Sequence, residues 1–132
     1  MSGQDLGAGD ALCAAALAAL GGVADLNGVY DGPPIRAAFP YAVVEAGPES
    51  DWSHKSGTGR ELRLAVVIRD SGERPARLRA LIQAAEAAIG GVGGALDGWQ
   101  VVTLHFLRSR MLREAGAGRA GAIDYRARML KD

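Results

Sequence analysis

From Arg60 to Asp70 large aliphatic residues recur at every second position, and this period of two constrains the chain more than any other feature. Leu62, Leu64, Val66 and Ile68 fall on one side of the segment, Arg63, Ala65, Val67 and Arg69 on the other. Successive side chains of a strand point to opposite faces, so the pattern predicts a strand with one buried and one polar face. It returns near the end of the chain. Between Ala122 and Leu130, Ile123, Tyr125, Ala127 and Met129 alternate with Asp124, Arg126 and Arg128.

Two helical segments offer cover for such a sheet. Leu6, Asp10, Cys13, Leu17 and Leu20 recur at spacings of four and three, alanine fills much of the rest, and Gly21-Gly22 close the segment. Leu78, Leu81, Ile82, Ala85 and Ile89 make a second stripe, with Pro75 in its first turn and Gly90-Gly91 after its last. Phe39 to Ala46 reads as a strand, with Phe39, Tyr41 and Val43 opposite Ala42 and Val44. Trp99 to about Arg113 reads as a longer one, with Val102, Leu104 and Phe106 on one face. Turn signals at Asn27-Gly28 and Asp31-Gly32-Pro33-Pro34 leave room for a short extra strand at Tyr30. Residues 47–59 are polar and punctuated by glycine, and read as a long loop. The expected fold class is α+β: a mainly antiparallel sheet with two helices packed on one face, in the order α-β-β-α-β-β. No repeat or linker divides the chain, so residues 1–132 read as a single domain.

Composition removes several function classes. One cysteine in 132 residues rules out an intrachain disulfide framework. Fifteen basic against fifteen acidic residues is not the balance of a tight nucleic-acid binder, and 5% aromatic residues is too few for a base-stacking platform. The thirteen arginines against two lysines, with abundant alanine and glycine, read as the usage of a GC-rich genome. The neutral total hides a segregation. Residues 1–59 carry two positive and seven negative side chains, a net of −5, and residues 60–132 carry thirteen and eight, a net of +5. Such halves pair within one fold or attract head to tail between copies. The first ten residues hold no Lys or Arg, unlike a signal peptide, and the Ala/Leu run from Ala11 to Leu20 is too short to span a bilayer. The expectation is therefore cytoplasmic synthesis and no membrane partner.

The motifs for chemistry lose to plainer readings. Gly116 to Gly121 spells G-x-G-x-x-G, but period two follows it instead of a helix, so it reads as a hairpin tip. Gly90 to Gly94 lacks the Lys-Ser/Thr of a phosphate loop. Cys13, set among Ala and Leu, reads as a buried, inert thiol. His54 and His105 lie in different elements, too few for a metal site, and no cofactor is expected. Asp51, Ser53 and His54 crowd into four residues, whereas a catalytic triad converges from separate elements. Trp52 in its polar surroundings has two readings: folded back onto the sheet, or an interface anchor. Arg108, Arg110, Arg113, Arg126 and Arg128 are candidates for a polyanion path or for a solvated face with cross-strand acids.

The order of these features resembles the small tail terminator, or tail completion, proteins of long-tailed phages and gene transfer agents. The resemblance rests on the Ala/Leu-rich first helix, Val29-Tyr30-Asp31-Gly32 with Pro33-Pro34, and Phe39-Pro40-Tyr41-Ala42-Val43-Val44. It continues through Asp51-Trp52-Ser53-His54-Lys55, the strand from Leu62 to Ile68, the strand Val101 to Arg110, and Ile123 to Met129. It implies a non-enzymatic protein, a hexameric ring that caps the tail tube and stops its polymerisation. Its partners would be other copies of itself, the tail tube protein and a head-side connector, with DNA crossing the lumen without specific binding. Asp51, Trp52, Ser53, His54 and Lys55 are then candidate contacts to a neighbouring subunit or ring, and Arg108, Arg110, Arg126 and Arg128 candidate ring-interface or lumen charges. From the assembling cell's cytoplasm, such a protein passes into the particle tail. The competing reading is a small ligand-binding or enzymatic domain using the 47–59 loop and the sheet as a pocket, with His54 or His105 as acid or base.

Overall fold

The computed structural model describes residues 6–113 and 118–132. Helix α1 spans Ala8–Leu20 and α2 spans Pro75–Ile89. The strands are β1 (Val29–Asp31), β2 (Tyr41–Asp51), β3 (Gly59–Asp70), β4 (Gly94–Leu96), β5 (Trp99–Arg113) and β6 (Arg119–Lys131). They form one sheet in the order β1-β2-β3-β6-β5-β4, antiparallel throughout except for the β1–β2 pair. The class is the expected α+β. Two three-residue strands join the four long ones, and chain order becomes α-β-β-β-α-β-β-β. One of them, β1, is the segment at Tyr30. The other, β4, turns into β5 through Asp97-Gly98, both at positive φ (45° and 91°), as a two-residue hairpin turn requires.

Both helices pack on the same face of the sheet. Leu62, Leu64, Val66 and Ile68 of β3 and Ile123, Tyr125, Ala127 and Met129 of β6 point toward them, and all are buried. Leu12, Ala16 and Leu20 of α1 and Leu78, Leu81, Ala85 and Ile89 of α2 close the core from above. The buried face of α1 matches the stripe expected from sequence only in part: Cys13 and Leu20 are buried and Leu17 packs against the core. Asp10 is exposed, while Ala8, Ala11, Leu12 and Ala16 face inward. In a helix this rich in alanine the stripe fixes the rotation only loosely, and Leu12 turns inward beside the alanines. Small side chains let the helix lie close to β2, where a Cβ on Gly9 would meet the Glu49 carboxylate.

The segment 47–59 is not a long loop. β2 passes through a bulge at Gly47-Pro48, with Gly47 at φ 127°, and continues to Asp51, so only residues 52–58 connect it to β3. On the other side of the sheet β5 carries two bulges, at Val102 and at Leu107. The first brings Val101 and Leu104 to the helix-bearing side together. The second sends Arg108 and Arg110 to the opposite side from Phe106. In β6, Gly121 pairs with Ile68 and Met111, so the G-x-G-x-x-G run ends inside a strand and opens no helix. Residues 114–117, which include the first glycine of that run, lie outside the described residues.

Candidate functional site

The second face of the sheet carries no helix, and the strand register makes it a field of arginines. Across the middle, Arg63 of β3 stands directly opposite Arg126 of β6, and Arg126 directly opposite His105 of β5. The row above it is Ala65, Asp124 and Arg108; the row below is Glu61, Arg128 and Thr103. Two of the arginines are neutralised locally. Arg108 Nε donates to Asp124 at 3.0 Å, and Arg128 Nε donates to Glu61 at 2.8 Å. The hydrogen bond from Arg128 holds the Glu61 carboxyl below the usual carboxylate range, with Arg126 and Arg63 adding through space.

Arg126 is different. Its Nε is buried and has no hydrogen-bond partner among the described residues, and its two cross-strand neighbours are a guanidinium and an imidazole. Like charges set directly opposite one another on a sheet destabilise it, and an unpaired buried N–H costs more than an exposed one. A shallow depression beside this row is lined by Arg63, Leu107, Arg108, Arg110 and Asp124. A surface of this make-up attracts carboxylates or phosphates. The four arginines singled out from sequence, Arg108, Arg110, Arg126 and Arg128, all fall here. Sequence reading had left out Arg63, although it already lay on the polar side of the Arg60–Asp70 alternation.

The β2–β3 hairpin tip adjoins the Glu61–Arg128 row. Trp52 folds back over Arg128, whose guanidinium carbon lies 5.5 Å from the indole centroid, and His54 meets the indole edge-on at 4.6 Å. The indole is half-buried by this packing. Ser53 Oγ donates to Asp51 at 2.6 Å and accepts from the Gly59 N–H at 3.1 Å, while Trp52 N–H donates to the Gly59 carbonyl. Gly59 is required by close approach: a Cβ there would run into the Trp52 carbonyl. The tip is closed by the His54–Gly57 bridge, and Lys55 is exposed at its end. Ser53 therefore engages Asp51, and His54 engages Trp52, so the three polar residues form no proton relay. His105 lies apart from them on β5. Among the described residues no cluster of three or more His, Cys, Asp or Glu is placed to hold a metal.

The model of the family described as "Tail completion protein gp17" matches residues 9–130. The chain belongs to the tail completion protein family. A chain of a solved structure described as "Virion of native gene transfer agent (GTA) particle" is 32% identical, with a TM-score of 0.57, over 86% of this chain and 84% of that one. A comparison with curated proteins gave no match. Family membership makes this a tail structural protein. No helix among the described residues is long and apolar enough to cross a membrane.

Proposed function

We propose that this tail completion protein assembles into a six-membered ring that caps the tail tube, ends its polymerisation and joins the tail to a head-side connector, with DNA passing through the lumen. The observation that carries the reading is the helix-free face of the sheet. One side of the molecule is devoted to its own core, and the other holds the row Arg63, Arg126 and His105, whose central arginine has a buried Nε without a hydrogen-bond partner among the described residues. Such a face is suited to an anionic neighbour. In a ring, Arg108, Arg110, Arg126 and Arg128 serve as interface or lumen charges. Weak, sequence-blind attraction is the property a channel for moving DNA needs, because tight binding would stall transit. Asp51, Trp52, Ser53, His54 and Lys55, at a hairpin tip, form the contact to the adjacent subunit or ring. The protein is built in the cytoplasm of the producing cell, enters the particle tail, uses no cofactor and carries out no catalysis.

The test is assembly with the tail tube protein. Electron microscopy of the purified chain should show closed rings, and adding it to polymerising tube protein should fix tube length. Trp52→Ala should weaken attachment to the tube or the neighbouring ring while the chain stays folded. Uncontrolled tube length in the presence of the chain refutes the reading. Loss of a measurable turnover on His54→Ala or His105→Ala, with the fold intact, would replace it by the enzymatic one.

A further inference from the structure

The helix-bearing side of the sheet is not covered to its edge. α2 lies over β6 and β3, and beyond it β5 leaves an apolar groove lined by Glu86, Val101, Val102, Leu104, Phe106 and Tyr125. Val102 is 47% exposed and Phe106 44%. Tyr125 makes the floor. It is buried, its hydroxyl has no partner among the described residues, and burial, helped by the nearby Glu86 charge, pushes its pKa up to about 12. Glu86 makes no ion pair among the described residues.

At the far edge of the same sheet is the complementary shape. The connection from β1 to β2 carries Pro33-Pro34-Ile35-Arg36, and Ile35 is the most exposed large apolar residue described, at 106% of its reference area. Two prolines limit the conformations of this projection, which reduces the entropy lost on docking. Arg36 follows directly, and it is the only cation in the acidic half of the chain apart from Lys55.

We propose that Ile35 of one copy seats in the α2–β5 groove of a second copy, with Arg36 pairing with Glu86 at its rim. Knob and groove lie at opposite edges of the sheet, β1 and β5, so every copy offers one of each and the contact runs head to tail. It also joins a part of the chain with net charge −5 to a part with net charge +5. The proposal rests on the ring reading and deepens it by naming a further contact between neighbouring subunits. A repeated head-to-tail contact closes into a ring when its rotation allows, whereas a two-fold contact stops at a dimer.

Sedimentation velocity on the full-length chain tests this. Ile35→Asp should leave the thermal unfolding of the subunit unchanged, because Ile35 packs on nothing, and should weaken association by roughly tenfold or more, the effect of withholding one isoleucine from burial. Val102→Asp and Phe106→Asp should do the same from the other side. If Phe106→Asp unfolds the chain, the more exposed Val102→Asp decides. Mixing the knob variant with a groove variant should yield dimers and nothing larger, since each mixed pair retains a single good contact. Arg36→Glu should weaken the wild-type assembly, and combining it with Glu86→Arg should restore it. An Ile35→Asp protein that still forms wild-type oligomers overturns the contact and leaves the ring reading intact. A wild-type chain that stays monomeric at every concentration overturns both.

Discussion

Replacing Arg126 by methionine should make the isolated subunit more stable, the opposite of what a half-buried arginine in a sheet ordinarily does. Removing its charge relieves the cross-strand repulsion with Arg63, a relief of about 0.2 to 1 kcal/mol for like charges placed directly opposite. It also removes a buried N–H without a partner, a group that costs about 1 to 3 kcal/mol when left unsatisfied. Two losses act against this. Attraction to Glu61 disappears, but that carboxylate keeps its direct bond to Arg128, and solvent screens the longer interaction. The stem packing is largely retained, because methionine follows the same path as the arginine methylenes. The net expectation is a gain of about 1 kcal/mol. The measurement is urea unfolding followed by tryptophan fluorescence, at a protein concentration low enough that midpoint no longer depends on it. Particle assembly or DNA delivery by the same variant should fall. A subunit destabilised by 1 kcal/mol or more would show that Arg126 is satisfied inside the free chain, and the argument for an anionic neighbour would go with it.

Other features give sharper, smaller tests. Asp70 is 1% exposed and accepts bonds from both Arg77 and the Ser71 N–H, tying the end of β3 to α2. Asp70→Asn should cost about 1.5 to 3 kcal/mol, as expected for hydrogen bonds to a charged group. The Arg77 bond holds the Asp70 carboxyl below its usual range, so the difference between wild type and Asn variant should be complete above about pH 4 and close only as pH falls through the lowered value. Gly59→Ala should destabilise the chain by about 1 to 3 kcal/mol, because the added methyl meets backbone and not a movable side chain, and should shift the Trp52 emission. An unchanged midpoint would show that the hairpin adjusts freely. Burial pushes the Cys13 thiol up to about 11, so a thiol reagent at neutral pH should label it slowly in the folded chain and rapidly in urea. Rapid labelling of the folded form would contradict the packing of α1.

What the sequence disclosed was what period and punctuation encode. β3 and β6 were legible residue by residue because each alternates over its core length and is covered on one face only. α2 was legible because its stripe of Leu78, Leu81, Ile82 and Ile89 contrasts with Arg77, Arg79, Gln83 and Glu86 on the rest of the helix. α1 was legible only in part, with Cys13 and Leu20 buried as expected but Asp10 exposed and Leu12 inward, because alanine on every side gives little contrast to fix the rotation. The bulges could not be read at all. An extra residue at Val102 or Leu107 leaves no mark on composition, yet it decides which side chains of β5 face the helices. That Arg108, Arg110, Arg126 and Arg128 share one face with Arg63 is a consequence of register, which is a property of pairs of strands. Trp52 illustrates the same limit. Its two readings were equal in sequence, and the partner that folds it back, Arg128, lies 76 positions away.

The outer margin of β5 has a consequence for how these molecules avoid the wrong company. β4 covers only its first three residues, and from Val102 onward the margin offers open backbone donors and acceptors. A straight ribbon of that kind would recruit any passing extended peptide, including the same segment of another copy, and stacking would proceed without end. The kinks at Val102 and Leu107 spoil the spacing twice, and Arg108 and Arg110 add charge after them. A visiting strand would lose register within a few residues. In the proposed ring, copies would then recognise each other through the shapes and charges of their side chains, a language specific enough to count subunits and then stop.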